Sequence, residues 1–133
     1  MNPFLALGID FVLIISICIF HAEREKLNRA PVSKTFHVFW FLFWAAISAL
    51  LCYLVKSWWL VLTFSTLRGF VYNQLLNELR HEPFFYIHGE GNNNPNPAIT
   101  DNILIWLNSK WSYSYFVLWL IDIGLFTFSI FRL

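Results

Sequence analysis

Charged residues are scarce in this chain. Only 13% of its 133 residues are Asp, Glu, Lys or Arg, whereas about a quarter are charged in an ordinary soluble domain. Apolar residues make up 58% of the chain and aromatic residues 20%. A soluble domain of this size could not bury so many apolar side chains. The composition therefore predicts an integral membrane protein whose surplus apolar surface faces lipid.

Several functional signatures are also lacking. The net charge is only +1 and the basic residues are scattered, which argues against nucleic-acid binding. Cys18 and Cys52 lie near the ends of consecutive apolar segments, at opposite faces of a bilayer, so they are too far apart for a disulfide. The chain has no nucleotide-binding motif, histidine metal motif or nucleophile elbow. No motif therefore supports catalysis.

The apolar residues form four segments, each close to the roughly twenty residues that cross a bilayer as a helix. Their approximate ranges are 3–20, 36–55, 58–80 and 111–131. We predict an all-α, four-helix transmembrane bundle that forms a single domain over 1–133. A short interfacial helix over 102–110 is expected before the last span. The first segment lacks the basic stretch and the cleavage site of a signal peptide, so we expect it to be retained.

Polar stretches over 21–35 and 81–110 are predicted to be cytoplasmic loops, and the first could extend the preceding helix as far as Pro31. Ser57 is predicted to cap a helix that begins at Trp58. Basic residues concentrate at the cytoplasmic side of membrane proteins. In the predicted four-span arrangement, one side of the membrane has six basic residues near the span ends: Arg24, Lys26, Arg29, Lys34, Arg80 and Lys110. The other side has Lys56 and Arg132. This distribution predicts that both termini lie outside the cell.

Three charged residues lie near the middle of three different spans, namely Asp10, Arg68 and Asp122. Burying an ion in hydrocarbon costs several kcal/mol, so such residues usually pair, face a protein interior or line a path. Their depths are similar, and one guanidinium fork can serve two carboxylates. We predict an Asp–Arg–Asp group that holds the bundle together. A proton or ion path and contacts between copies of the chain are the alternatives.

Polar residues also follow helical spacing on the third and fourth spans. The stripes are Thr66, Gly69, Asn73, Asn77 and Arg80 on the third span, and Tyr115, Asp122 and Ser129 on the fourth. Arg68 lies beside the first stripe. Small and amide residues at this spacing favour a packing seam over a ligand site. We include Asn73, Asn77 and Tyr115 with the intramembrane polar group.

Four histidines, including His37, fall near span ends on the predicted cytoplasmic side. Imidazole and carboxylate groups that suit a divalent metal are therefore available together. The candidate ligands are His21, His81, His88 and Glu82. No two of them have the fixed short spacing of an established metal motif. The alternative interpretation is that these histidines simply suit the headgroup region.

The leading functional hypothesis is a small polytopic membrane protein that acts as an oligomeric or subunit-type component of membrane assembly or transport. Its expected partners are the lipid bilayer and further copies of itself or other membrane subunits, without nucleic acid. One alternative is a metal-dependent membrane enzyme with its site at the cytoplasmic rim. A proton- or ion-conducting oligomer and a holin-like lesion former are further alternatives.

Overall fold

The computed structural model describes residues 1–28, 33–87 and 99–133, and these ranges contain helices and no strand. The five helices are α1 (Pro3–Asn28), α2 (Lys34–Val55), α3 (Trp59–Arg80), α4 (Ile99–Lys110) and α5 (Ser114–Ile130). The predicted all-α class is confirmed.

Contacts between helix ends give the directions of the long helices. The Met1 ammonium donates a hydrogen bond of 3.4 Å to the carbonyl oxygen of Leu54, so α1 begins where α2 ends. The Arg132 guanidinium lies 5.9 Å from the ring of Trp59, so α5 ends where α3 begins. Both termini therefore lie at one end of the bundle, the far end. We call the opposite end, where α1 and α3 finish and α2 and α5 start, the rim end.

The central helix is α3, which packs against α1, α2 and α5. It supplies much of the buried apolar core, including Leu60, Phe64, Leu67 and Leu76. A hydrogen bond of 2.9 Å between the hydroxyls of Thr63 and Ser129 joins it to α5. Together, α1, α2 and α5 cover most of α3. This position explains how α3 carries amide, hydroxyl and charged side chains within a largely apolar bundle.

Two helices are long and apolar enough to cross a membrane, α1 and the stretch Thr35–Val55 of α2. A third crossing is reached only if the pair Asp101–Lys110 and Ser114–Ile130, bent by 119°, counts as one broken span. The α3 helix is long enough but too polar to be counted as a membrane span by composition. The α5 helix alone is only about 26 Å long. The helices are consistent with a membrane protein, and the four-span bundle stays a prediction.

Helix boundaries agree with some sequence predictions and correct others. The predicted extension of the first helix is confirmed, because α1 continues to Asn28. The short helix predicted over 102–110 is present as α4, which begins three residues earlier at Ile99, and its interfacial position stays a prediction. The prediction that Ser57 caps α3 is wrong, because the helix begins at Trp59 and its N-cap residue Trp58 makes no side-chain capping bond.

Two non-glycine residues end helices in the left-handed conformation. Lys56 has φ 60° after α2, and its N–H donates to the carbonyl oxygen of Cys52 at 2.9 Å. His81 has φ 59° after α3, and the next amide, of Glu82, donates to the carbonyl oxygen of Asn77 at 2.9 Å. These bonds satisfy carbonyl groups that the helix ends leave open.

Candidate functional site: a cleft between the second and fifth helices

A cleft of about 780 Å³ opens between α2 and α5. Its floor is the second half of α3, and the first turns of α4 cover part of it. The lining residues are His37, Val38, Trp40 and Phe41 of α2; Arg68, Gly69, Tyr72, Asn73, Leu76, Asn77 and Arg80 of α3; Tyr86 before α4; Asp101, Ile103 and Leu104 of α4; and Tyr115, Leu118, Trp119, Ile121 and Asp122 of α5.

The cleft runs along α3 from Arg80 at the rim end to Arg68 near the middle of the helix. Twelve residues separate these arginines, which corresponds to about 18 Å along the helix axis. Polar and charged groups lie at both ends, and aliphatic and aromatic side chains such as Leu76, Leu118 and Trp119 lie between them. The cleft therefore suits a molecule with both polar and apolar parts.

At the inner end, aromatic rings surround the guanidinium of Arg68. Its central carbon lies 5.2 Å from the ring centre of Phe41, 5.1 Å from Trp44 and 4.7 Å from Tyr72. Ring faces attract a cation, most strongly away from bulk water. These contacts stabilise the charge of Arg68 but provide no hydrogen-bond acceptor.

Asp10 does not line the cleft. Its side chain is fully buried, and its Oδ1 accepts hydrogen bonds from Trp44 Nε1 at 2.9 Å and Ser48 Oγ at 3.0 Å. Its Oδ2 has no partner among residues 1–28, 33–87 and 99–133. The Arg68 charge lies near enough to attract this carboxylate, but no ion pair within 4.0 Å joins the two in the described part of the chain. Asp10 thus ties α1 to α2.

Asp122 lies against α3 from the side of α5. A methyl group placed on Gly69 would lie 2.5 Å from the Asp122 Oδ2, so the missing side chain of Gly69 makes room for the carboxyl group. As with Asp10, no ion pair within 4.0 Å joins Asp122 to Arg68 within the described ranges. The predicted direct bridging of two aspartates by Arg68 is therefore absent from this arrangement.

The other two members of the α5 stripe also face α3. The Tyr115 hydroxyl accepts a hydrogen bond from Gln74 Nε2 at 3.1 Å, and Ser129 bonds with Thr63 as described above. On α3, four of the five predicted stripe residues line the cleft; Thr66 instead bonds to the carbonyl oxygen of Leu62 at 2.7 Å. The stripes thus form both a seam and the cleft floor.

Asn77 fixes the chain that follows α3. Its Nδ2 donates to the carbonyl oxygens of Phe84 at 3.1 Å and Tyr86 at 2.8 Å. Asn77 is itself buried, so these bonds replace water that the amide would otherwise need. They hold Tyr86 at the rim end of the cleft, where Asn73 is the next amide along the floor.

An ion pair fixes the rim end. Arg80 donates two hydrogen bonds to Glu25, from Nε to Oε2 and from Nη2 to Oε1, both at 2.6 Å. Their side chains are only 10% and 14% exposed, which makes this a shielded, two-point contact. It joins the polar end of α1 to α3 and neutralises one of the two arginines of the cleft.

The predicted metal ligands do not assemble within the described residues. A hydrogen bond of 2.7 Å joins His21 Nδ1 to the Tyr72 hydroxyl, whereas His81 and Glu82 are exposed after α3. His88 lies outside the described residues. Among those described, no group of three or more His, Cys, Asp or Glu side chains could hold a metal ion. His37 is the histidine that lies near His21, with ring centres 5.2 Å apart.

The sequence predictions missed three partners of the polar residues: Trp44 and Ser48 for Asp10, and Glu25 for Arg80. One signal was present, because Trp44 and Ser48 are four residues apart and share a helix face. Their depth in the second span also matches that of Asp10 in an antiparallel first span. Glu25 and Arg80 both fall on the predicted cytoplasmic side, but the sequence does not display that α1 packs directly against α3 there.

Comparison of the chain with protein-family models, with curated proteins and with solved structures gives no match.

Proposed function

We propose that this protein is a membrane-embedded transport component that takes the polar part of an amphipathic molecule into the bilayer interior through the cleft. The observation that carries the proposal is the cleft itself, about 780 Å³ in volume, with charged groups at the rim end and near mid-helix. In a bilayer, polar groups without a protein interior around them are excluded from the hydrocarbon. A polar cleft that reaches this depth provides such an interior.

The helix arrangement supports access from the side. The cleft lies between α2 and α5, which are not among the closely packed helix pairs. An amphiphile can therefore place its polar group in the cleft while its chains remain among lipids. The exposed outer face of α2, with Phe39, Leu42 and Leu50, suits a lipid environment.

We also propose the membrane arrangement on which this function depends: α1, α2, α3 and the α4–α5 pair cross the bilayer, with both termini outside. The common location of Met1 and Arg132 at the far end supports an even number of crossings. The charge bias supports the side, since Arg24, Lys26 and Arg80 lie at the rim end. Protease cleavage of terminal tags on intact cells would test it, and protected tags would contradict it.

A pair of neighbouring substitutions tests the function. Ile121 and Leu120 are similarly exposed, at 49% and 46%, but only Ile121 lines the cleft. Ile121→Trp should fill the cleft, whereas Leu120→Trp adds the same volume outside it. The assay is transfer of fluorescent phospholipid across vesicle bilayers, read by a reductant that bleaches only outward-facing label. Equal rates of lipid transfer by the two variants would reject the cleft as the path.

The alternatives have weaker support. A path through Asp10, Arg68 and Asp122 requires all three to line one passage, but Asp10 is enclosed by Trp44 and Ser48. A metal-dependent enzyme would depend on His88, outside the described residues, together with ligands that are separated here. The protein could carry out this function as an oligomer or as a subunit of a larger assembly. Either state is compatible with the cleft and stays a prediction.

A further inference from the structure

Two opposite charges lie at the inner end of the cleft without contacting each other. Arg68 and Asp122 both line it, but no ion pair within 4.0 Å joins them in the ranges that the structure describes. The cause is the helix geometry of α3. Successive residues point about 100° apart, so Arg68 meets the aromatic rings of α2 while Gly69 receives the Asp122 carboxyl group from α5.

Each charge is partly exposed to the cleft and lacks a hydrogen-bonded partner among the described residues. The rings of Phe41, Trp44 and Tyr72 attract the guanidinium, but its N–H groups have no acceptor in 1–28, 33–87 or 99–133. The Asp122 carboxylate receives no hydrogen bond from those same ranges. Ions in a low-dielectric interior are stabilised mainly by hydrogen-bonded counter-charges. The inner cleft therefore presents one cation and one anion to whatever occupies it.

We infer that the inner end of the cleft binds a zwitterionic group, with a phosphate or carboxylate on Arg68 and an ammonium group on Asp122. This inference rests on the proposed function, because it specifies the polar part of the amphiphile that the cleft admits. The Arg68 fork matches the paired oxygens of a phosphate or carboxylate. A protonated amine supplies the hydrogen-bond donor that the Asp122 carboxylate lacks.

The two charges set different requirements, which makes the class of ligand testable. A purely anionic headgroup satisfies Arg68 but leaves Asp122 close to a like charge. A quaternary ammonium group satisfies the charge of Asp122 but has no N–H to donate. A primary amine attached to a phosphate satisfies both groups. Phosphoethanolamine, either as a lipid headgroup or as a soluble molecule, has this chemistry.

The test measures lipid retained by the full chain in nanodiscs that contain phosphatidylethanolamine, phosphatidylglycerol and phosphatidylcholine in equal amounts. We expect about tenfold enrichment of phosphatidylethanolamine over phosphatidylglycerol, the size of one charge-assisted hydrogen bond. Asp122→Asn keeps the shape of the side chain and should reduce that ratio to about one while phosphatidylglycerol still binds. An unchanged ratio in Asp122→Asn would overturn the inference.

Arg68 is tested by two substitutions. Arg68→Gln should bind neither phosphatidylethanolamine nor phosphatidylglycerol. Arg68→Lys keeps the positive charge and should still bind phosphatidylglycerol, which shows that substitution at this position does not by itself prevent folding. Arg132→Gln removes an arginine that lies over Trp59 and Phe128 at the far end and should behave like the unmodified chain. Full retention of both lipids by a folded Arg68→Gln would contradict the assignment.

Soluble phosphoethanolamine distinguishes the two sources of the ligand. If soluble phosphoethanolamine binds to the unmodified chain but not to Asp122→Asn, while the lipids show no Asp122-dependent preference, the zwitterion is supported and its source is a free molecule. If lipid alone shows the Asp122-dependent preference, the ligand is a lipid headgroup. Binding of every lipid without discrimination, but blocked by Ile121→Trp, would overturn the zwitterion and leave the proposed function intact. Absence of any cleft-dependent binding would overturn both.

Discussion

The indole N–H of Trp44 donates a hydrogen bond of 2.9 Å to the fully buried carboxylate of Asp10. Ser48, one helical turn further along α2, donates a second to the same oxygen at 3.0 Å. Since charge-assisted hydrogen bonds are stronger than neutral ones, these contacts make a polar tie between two otherwise apolar helices. Asp10 therefore has a structural role between α1 and α2, whereas Arg68 and Asp122 line the cleft.

Trp44→Phe tests this tie. The substitution keeps an aromatic ring next to Arg68 but removes one donor from Asp10, so we expect the free energy of unfolding to fall by about 1–3 kcal/mol. Reversible denaturation in mixed detergent micelles measures the change. Trp106→Phe is the control, because Trp106 is 60% exposed and should change stability little. In an Asp10→Asn background the effect of Trp44→Phe should shrink; an undiminished effect would assign it to packing.

Gly69→Ala tests the close approach of α5 to α3. The added methyl group would lie 2.5 Å from the Asp122 Oδ2, so one helix or the carboxyl group must move. Because the atoms it meets are the end of the Asp122 side chain, the carboxyl group can turn aside, and we expect a loss of no more than about 1 kcal/mol, read as a lower thermal midpoint. Gly8→Ala is the matched control, because nothing lies within 4 Å of its added methyl group. Asp122→Ala should restore the stability of Gly69→Ala, and failure to do so would locate the clash elsewhere.

Glu25→Gln tests the ion pair at the rim end. It removes the charged acceptor of Arg80 at a site where both side chains are at least 86% shielded, so we expect a loss of about 2–3 kcal/mol. Glu23→Gln breaks the comparable pair with Lys26, whose side chains are each 58% exposed. That loss should stay within about 0.5 kcal/mol. Equal losses in denaturation measurements would show that the shielding of Arg80 has no energetic consequence.

Asn77→Leu tests how the chain after α3 is held. Removing the two hydrogen bonds to the carbonyl oxygens of Phe84 and Tyr86 should release this segment from the rim end. We expect the backbone amides over 82–87 to exchange hydrogen faster. The exchange rate should rise about tenfold for every ~1.4 kcal/mol of local stability that is lost. Asn102→Leu replaces an exposed asparagine and serves as the control. Unchanged exchange over 82–87 in Asn77→Leu would contradict the anchoring role.

The sequence identified the residues of the cleft better than their arrangement. Regular spacing along α3 was enough to place Gly69, Asn73, Asn77 and Arg80 on one face, because helical periodicity depends on local geometry alone. That face was expected to be a packing seam, and it forms both a seam with α5 and the floor of the cleft. Whether a polar face packs or stays open depends on the distance between α2 and α5, which no local pattern encodes.

The similar depths of Asp10, Arg68 and Asp122 were a correct clue that did not specify contacts. Depth along a helix follows from residue counting, but a side chain also has a direction around the helix axis. Arg68 and Gly69 illustrate this, because neighbours in sequence face different helices. The tryptophan partner of Asp10 was hidden for another reason: a hydropathy pattern reads Trp44 as apolar and does not register its N–H donor.

The location of the partners of Asp10 has a consequence for biosynthesis. Chains emerge from the ribosome N-terminus first, and earlier parts fold before later ones. Both donors to Asp10 belong to α2, the helix made directly after α1. Both hydrogen bonds to Asp10 Oδ1 can therefore form as soon as these two helices have left the ribosome. This tie between α1 and α2 does not depend on the polar helix α3, which can pack onto a pair that is already joined.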